Sequence, residues 1–196
     1  MTNNLNNNIL QAVQQGIIDA QKDYYKSFQS DLSSEYAPEY LMTVYIFRSL
    51  LSLIDGYGVA LEVPISDLDS GYSYKRFQGR KPGSVRYNGK CDLVLLDSKD
   101  KAKAGIEVKR NPWFYDEDMD RLISLLDLNI EMSIFASCMY KKSKKELIEE
   151  SDLLLKTIKK DYQRNITIEL SPIPKRVLKY DGEWVWYPIV FLVRKQ

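Results

Sequence analysis

The sequence predicts an α/β fold of the α+β sandwich kind, with a mixed central β-sheet flanked by helices. Three observations lead there. Apolar runs of strand length alternate with stretches of helical period. No internal repeat or linker-like change of composition divides the 196 residues. The content of 44% hydrophobic and 28% charged residues is that of ordinary globular material. One domain over 1–196 is expected, with a core at 38–140, a peripheral helix within 1–30 and a helix-plus-hairpin extension over 141–196.

The elements follow in order. The first eight residues are Asn-rich and expected to fray, after which Ile9, Val13, Ile17 and Ala20 form one stripe of a helix reaching Phe28. Ser33, Ser34 and Pro38 precede EYLMTVYIFRSLLSLI, a core helix with Met42, Ile46, Leu50 and Leu53 on one face, closed by Gly56 and Gly58. Glu39 stands three residues before Met42 and shares that inward face. VALEVPI (59–65) is a strand, and Pro64 puts its end at a sheet edge or bulge.

Ser66 to Gly89 is a polar connection too long for a plain turn. Cys91–Asp97 and Lys103–Lys109 are two strands joined by a charged tip. A helix over DEDMDRLISLLDL, a strand at Ile130–Met139 and a helix at Lys144–Asp161 come next. The tail holds ITIEL and a hairpin turning at Asp181-Gly182.

Composition removes several chemistries. With no histidine, Ser-His-Asp and Cys-His catalysis and histidine-based metal sites are excluded. Cys91 and Cys138 lie in apolar sequence and read as small buried residues of a reducing compartment. No run approaches the roughly 18 apolar residues of a membrane span. MTNNLNNNILQAVQQG has neither the basic start nor the cleavable apolar core of a secretory signal, so a cytoplasmic location is expected. The 28 basic and 27 acidic residues nearly cancel, so an anionic partner must meet a local patch.

The chemistry that remains rests on carboxylates. In CDLVLLDSKDKAKAGIEVKR, a hairpin carries Asp92 to the neighbourhood of Glu107 and Lys109. Glu107 and Lys109 are two apart and leave the same strand face, while Ile106 and Val108 supply the other. Glu39 reaches the same region from the core helix. Carboxylates crowded in this way repel until a divalent cation neutralises them, and Mg2+ or Mn2+ suits sparse oxygen ligation. A neighbouring lysine then orients or deprotonates an attacking water. Each residue also has a plainer reading: a surface ion pair for Glu107 and Lys109, a strand-entry acid for Asp92, a helix-dipole partner for Glu39.

Asp92, fourteen intervening residues, then Glu107-Val108-Lys109, preceded by a helix bearing Glu39, resembles the PD-(D/E)xK nuclease superfamily. The resemblance covers roughly Pro38 to Tyr140 and implies a restriction-endonuclease-like core: helix, three-strand meander, helix, fourth strand. It implies metal ligation by Asp92, Glu107 and the Val108 carbonyl, with Glu39 added and Lys109 as the water-activating group. The run DMDRLISLL looks like the helix that follows the lysine, from which Asp118 or Arg121 points toward the site. Cys91 stands where the family motif has proline. Many members dimerise, so the resemblance allows a homodimer through the N-terminal helix or the C-terminal hairpin.

The function expected is therefore metal-dependent hydrolysis of DNA, or less readily RNA. The alternative is a nuclease-like fold acting as a nucleic-acid- or protein-binding module. Arg76, Arg80, Lys81 and Arg86, interleaved with Tyr72, Tyr74 and Phe77, suit a loop that grips phosphates, and equally a solvated one. Lys141 and Lys142 suit a phosphate-contacting ridge or a wet helix start. Glu62 reads as an ion-pair partner of a loop arginine, with site participation open. Trp184, Trp186 and Tyr187 read as sheet packing.

Overall fold

The Asn-rich start is helical. A computed structural model of the chain describes residues 2–27, 37–69, 89–162, 166–172, 178–180 and 184–196. In it α1 spans Thr2–Ser27. The chain is helical from Thr2, against the expectation of a frayed start, and Ile9, Ala12, Val13, Ile17 and Ala20, which include the expected apolar stripe, are fully buried against α2 (Glu39–Leu53) and the sheet. Burying an apolar side chain of this size stabilises by about 1.5–3 kcal/mol, which outweighs the poor helix propensity of asparagine. Gly16 marks the crossing of the two helices. A Cβ there would lie 2.5 Å from Ile46 Cα and 2.6 Å from Ile46 N, so the backbones meet only because Gly16 has no side chain.

β1 (Gly58–Pro64) follows at the sheet edge, where Pro64 ends it, and a short α3 (Ile65–Asp69) leaves it. β2 (Lys90–Leu96) and β3 (Ala102–Lys109) complete an antiparallel meander. Their turn is held by Asp97, whose Oδ1 accepts the N–H groups of Lys99 at 2.8 Å and Lys101 at 3.0 Å. The chain crosses through α4 (Asp116–Asp127) and returns as β4 (Met132–Lys141), parallel to β3. A parallel neighbour needs such a crossover, because tight turns join only antiparallel strands.

α5 (Lys144–Asp161) starts at Ser143, whose Oγ accepts Glu146 N–H at 3.2 Å. β5 (Ile166–Leu170), β6 (Leu178–Tyr180) and β7 (Trp184–Lys195) end the chain. β7 runs antiparallel beside β4, giving the order β1-β2-β3-β4-β7-β5, with β6 on β7 off that path. The turn expected at Asp181-Gly182 lies outside the described residues, as do Ser33 and Ser34.

Helices cover both faces. Leu93, Leu95, Ile106, Val108, Ile134 and Val190 pack under α1 and α2, while Val94, Phe135, Met139, Ile189 and Phe191 pack under α4 and α5. The centre of the sheet is thus dry on both sides, and any charge placed there needs a partner. No described helix is long and apolar enough to cross a membrane.

Candidate active site

The β2–β3 ladder ends at the pair Leu93↔Ile106. Asp92, the next residue of β2, continues the contact with its side chain: Oδ2 accepts Val108 N–H at 2.7 Å. Asp92 therefore does more than enter the strand. The Lys109 carbonyl points the other way, toward β4, where it accepts Ser137 Oγ at 2.6 Å. Carbonyls alternate along a strand, so the Val108 carbonyl is directed to the Asp92 side. On the opposite flank, β1 pairs Leu61↔Leu93 and Val63↔Cys91, and Glu62 between them takes φ +54. A non-glycine residue in the left-handed region costs about 1–2 kcal/mol. Both neighbours of Asp92 thus depart from regular pairing beside its carboxylate.

Glu39 comes in from the first turn of α2, and its Oε2 accepts Arg110 N–H at 3.0 Å. The residue does more than complement a helix dipole, since it ties α2 to the end of β3. Asp92 and Glu39 lie along the same lateral edge of β3, where alternate N–H groups of residues 108 and 110 point.

Glu107 and Lys109 face α4. Gly105 is the reason the helix sits so low: a Cβ there would lie 2.2 Å from Leu125 Cδ1 and 3.3 Å from Cys91 Sγ. Two strand residues advance about 6.6 Å and one helical turn about 5.4 Å. With Leu125 seated on Gly105, Arg121 falls over Glu107 and Asp118 near Lys109. Arg121 Nε meets Glu107 Oε1 at 3.1 Å and Nη2 meets Oε2 at 3.3 Å. Arg121 also makes a close hydrogen bond to Asp118 Oδ1, and Lys109 Nζ pairs with Asp118 Oδ2 at 3.1 Å. Glu107 and Asp118 are each 1% exposed.

The environment acts on each charge. Burial pushes Glu107 up to about 8, with the Asp92 charge adding and Arg121 opposing. Burial also lifts Asp92 to about 6 against its bond from Val108; the charges of Glu39, Glu62 and Asp118 lift it further. Burial pulls Lys109 down, but Asp118 and Glu39 outweigh it, so Lys109 holds its proton above the usual lysine range.

Glu39, Asp92, Glu107, Val108, Lys109, Asp118 and Arg121 are therefore gathered around the end of β3. Glu62 is more remote: it pairs with Lys90 at 3.6 Å, and both side chains are largely exposed. Lys141 is ion-paired to Glu150 on α5, with Lys142 next in sequence. Arg76, Arg80, Lys81 and Arg86 lie outside the described residues. Three aromatics escaped sequence reasoning: Tyr40 beside Glu39 is 77% exposed, and Trp113 and Phe114, just past Arg110, are 37% and 70% exposed. The signal for the last two was NPWF, an aromatic pair in the turn directly after a charged strand end.

Among the described residues no group of three or more carboxylates or cysteines is gathered as a metal cage. The donors are nonetheless of one kind, carboxylate and carbonyl oxygens, which suits Mg2+ or Mn2+. The positive charge they require is supplied by Arg121 and Lys109. No family model, no curated protein and no solved structure matches this chain.

Proposed function

We propose that the protein is a metal-dependent phosphodiesterase of the PD-(D/E)xK type that hydrolyses DNA, with RNA the lesser alternative. The observation that carries the reading is Asp92 at the parting of β2 and β3, bonded to Val108 N–H beside the Val108 carbonyl, with Glu107 and Lys109 on the same strand. The order of helix, antiparallel meander, crossover helix and parallel fourth strand supports it as well. So does the raised pKa of two carboxylates in one place, a pattern common at functional sites.

Asp92, Glu107 and the Val108 carbonyl would hold Mg2+ or Mn2+, with Glu39 at the margin. Once bound, the cation supplies a Lewis acid for the charge that grows on the phosphate. The chain's own groups do the rest. Lys109, kept charged by Asp118, orients the attacking water and meets a phosphate oxygen rather than accepting a proton. Arg110 and Lys142 lie beside the strand ends as phosphate contacts. Tyr40 and Phe114 offer exposed ring faces to bases at the margin.

A second reading is favoured by the pairing of Glu107 with Arg121. A site whose key carboxylate is satisfied by the protein itself suits a nucleic-acid-binding module with little catalysis. One experiment separates the two: labelled single- and double-stranded DNA and RNA are incubated with the full chain and Mn2+. Cleavage that disappears in Asp92→Ala and Lys109→Ala supports the enzyme. Salt-dependent binding without cleavage, unaffected by Asp92→Ala, supports the module.

A further inference from the structure

We propose that Arg121 is the resident counter-cation of Glu107, and that a divalent ion binds this carboxylate only by displacing the guanidinium. The inference rests on the metal-dependent reading above and makes Arg121 the residue that sets metal affinity.

Three observations carry it. First, Arg121 engages both oxygens of Glu107, at 3.1 and 3.3 Å, so the edge a metal would chelate is taken by the guanidinium while the fork is in place. Second, like charges repel: a divalent ion on Glu107 would stand within a few Å of the guanidinium that already holds this buried carboxylate, in a low-dielectric place. Third, Arg121 has a way out. Its side chain is 25% exposed, although the carboxylate it holds is 1% exposed.

The seat of the arginine stem is built for it. A Cβ on Gly89, the residue before β2, would lie 2.7 Å from Arg121 Cδ and 3.5 Å from Cγ. Gly89 thereby leaves a slot along which the stem lies, while Asp118 anchors the head from the same helix. Arg121 is placed from two sides, by a missing side chain below and a paired acid alongside. This arrangement stabilises the metal-free state, and the ion must compete with it.

The test is metal binding measured without nucleic acid. Calorimetric titration of Mn2+ into the full chain should show Arg121→Gln binding at least about tenfold tighter than wild type, the effect of roughly 1.4 kcal/mol of lost competition. Arg121→Lys, which keeps the charge and loses the fork, should fall between them. In wild-type protein, the Arg121 Nε–H resonance should exchange slowly without metal and quickly at saturating Mg2+. Equal or weaker Mn2+ binding by folded Arg121→Gln overturns the proposal, and so does an Nε–H that Mg2+ leaves unchanged. Should Arg121→Gln not fold, the wild-type resonance decides alone. If Mg2+ mobilises Arg121 and no nucleic acid is cut, the nuclease reading fails while this one stands. If DNA is cut and the arginine is unmoved, the reverse holds.

Discussion

Gly105 and Leu125 are in contact at a spacing that leaves no room for a side chain on the strand: a Cβ on Gly105 would come within 2.2 Å of Leu125 Cδ1. The pair sets the height of α4 over β3, and with it the reach of Arg121 to Glu107. Gly105→Ala should therefore cost about 1–3 kcal/mol in urea denaturation, the usual effect of overpacking a buried seam. It should also slow Mn2+-dependent cleavage, because lifting the helix withdraws Asp118 from Lys109 as well. A variant with wild-type stability would show that α4 rises without strain and that this contact does not set the height.

Gly16 makes a stricter demand, since the atoms facing it are Ile46 Cα and N rather than the tip of a side chain. Backbone cannot step aside by rotating. Gly16→Ala is expected to destabilise more than Gly105→Ala, despite the better helix propensity of alanine. The comparison of two denaturation midpoints checks it.

Metal-free protein should lose stability as pH rises. Asp92 and Glu107 have folded pKa values of about 6 and about 8, above their unfolded values of roughly 3.9 and 4.3. The folded state thus binds more protons than the unfolded state between about pH 4 and 8, and stability falls across that window. Glu39, Glu62 and Asp118 press in the same direction on Asp92, while Arg121 resists at Glu107. Thermal midpoints at pH 5, 6.5 and 8 should decline in chelator, and Mn2+ should flatten the trend. A midpoint that climbs with pH in chelator would remove the buried-carboxylate account.

Asp92→Asn separates structure from chemistry. Asparagine Oδ1 still accepts Val108 N–H but carries no charge into the partly buried site. At pH 8 without metal the variant should melt above wild type, yet cleave nothing. Lys109→Ala should lower the cleavage rate on the order of 10²–10³-fold, the range for losing one preorganised donor to developing charge. Single-turnover assays on labelled DNA read both effects.

Ser143→Ala should cost about 1 kcal/mol, since Ser143 Oγ caps Glu146 N–H at the start of α5. Its cleavage rate should match wild type, which makes it a control for stability loss away from the site.

Much of the architecture was legible from local pattern. The helix at Lys144–Asp161 and the strand at Ile166–Leu170 have the bounds their periodicity gives, and the β2–β3 hairpin follows from two apolar runs around a charged tip. The helical start at Thr2 was not legible, because α2 and the sheet that bury α1 are supplied from distant sequence. Nor was the seat of β7 beside β4: with α5 and β5 between them, nothing local says which strand edge the tail will choose.

The same division runs through the site. Sequence by itself determined that Asp92 lies near the start of one strand and that Glu107 and Lys109 share a face of the next, because alternation is a property of extended backbone. It determined the absence of histidine, and so the dependence on carboxylates, lysine and arginine. Only the tertiary structure decided who pairs with whom. Arg121 holds Glu107, and Asp118 holds Lys109, because Gly105 lets α4 settle with its turns in step with alternate residues of β3. Charges on one element choose partners by the packing of another, and that packing is fixed by a glycine two residues before the carboxylate it serves.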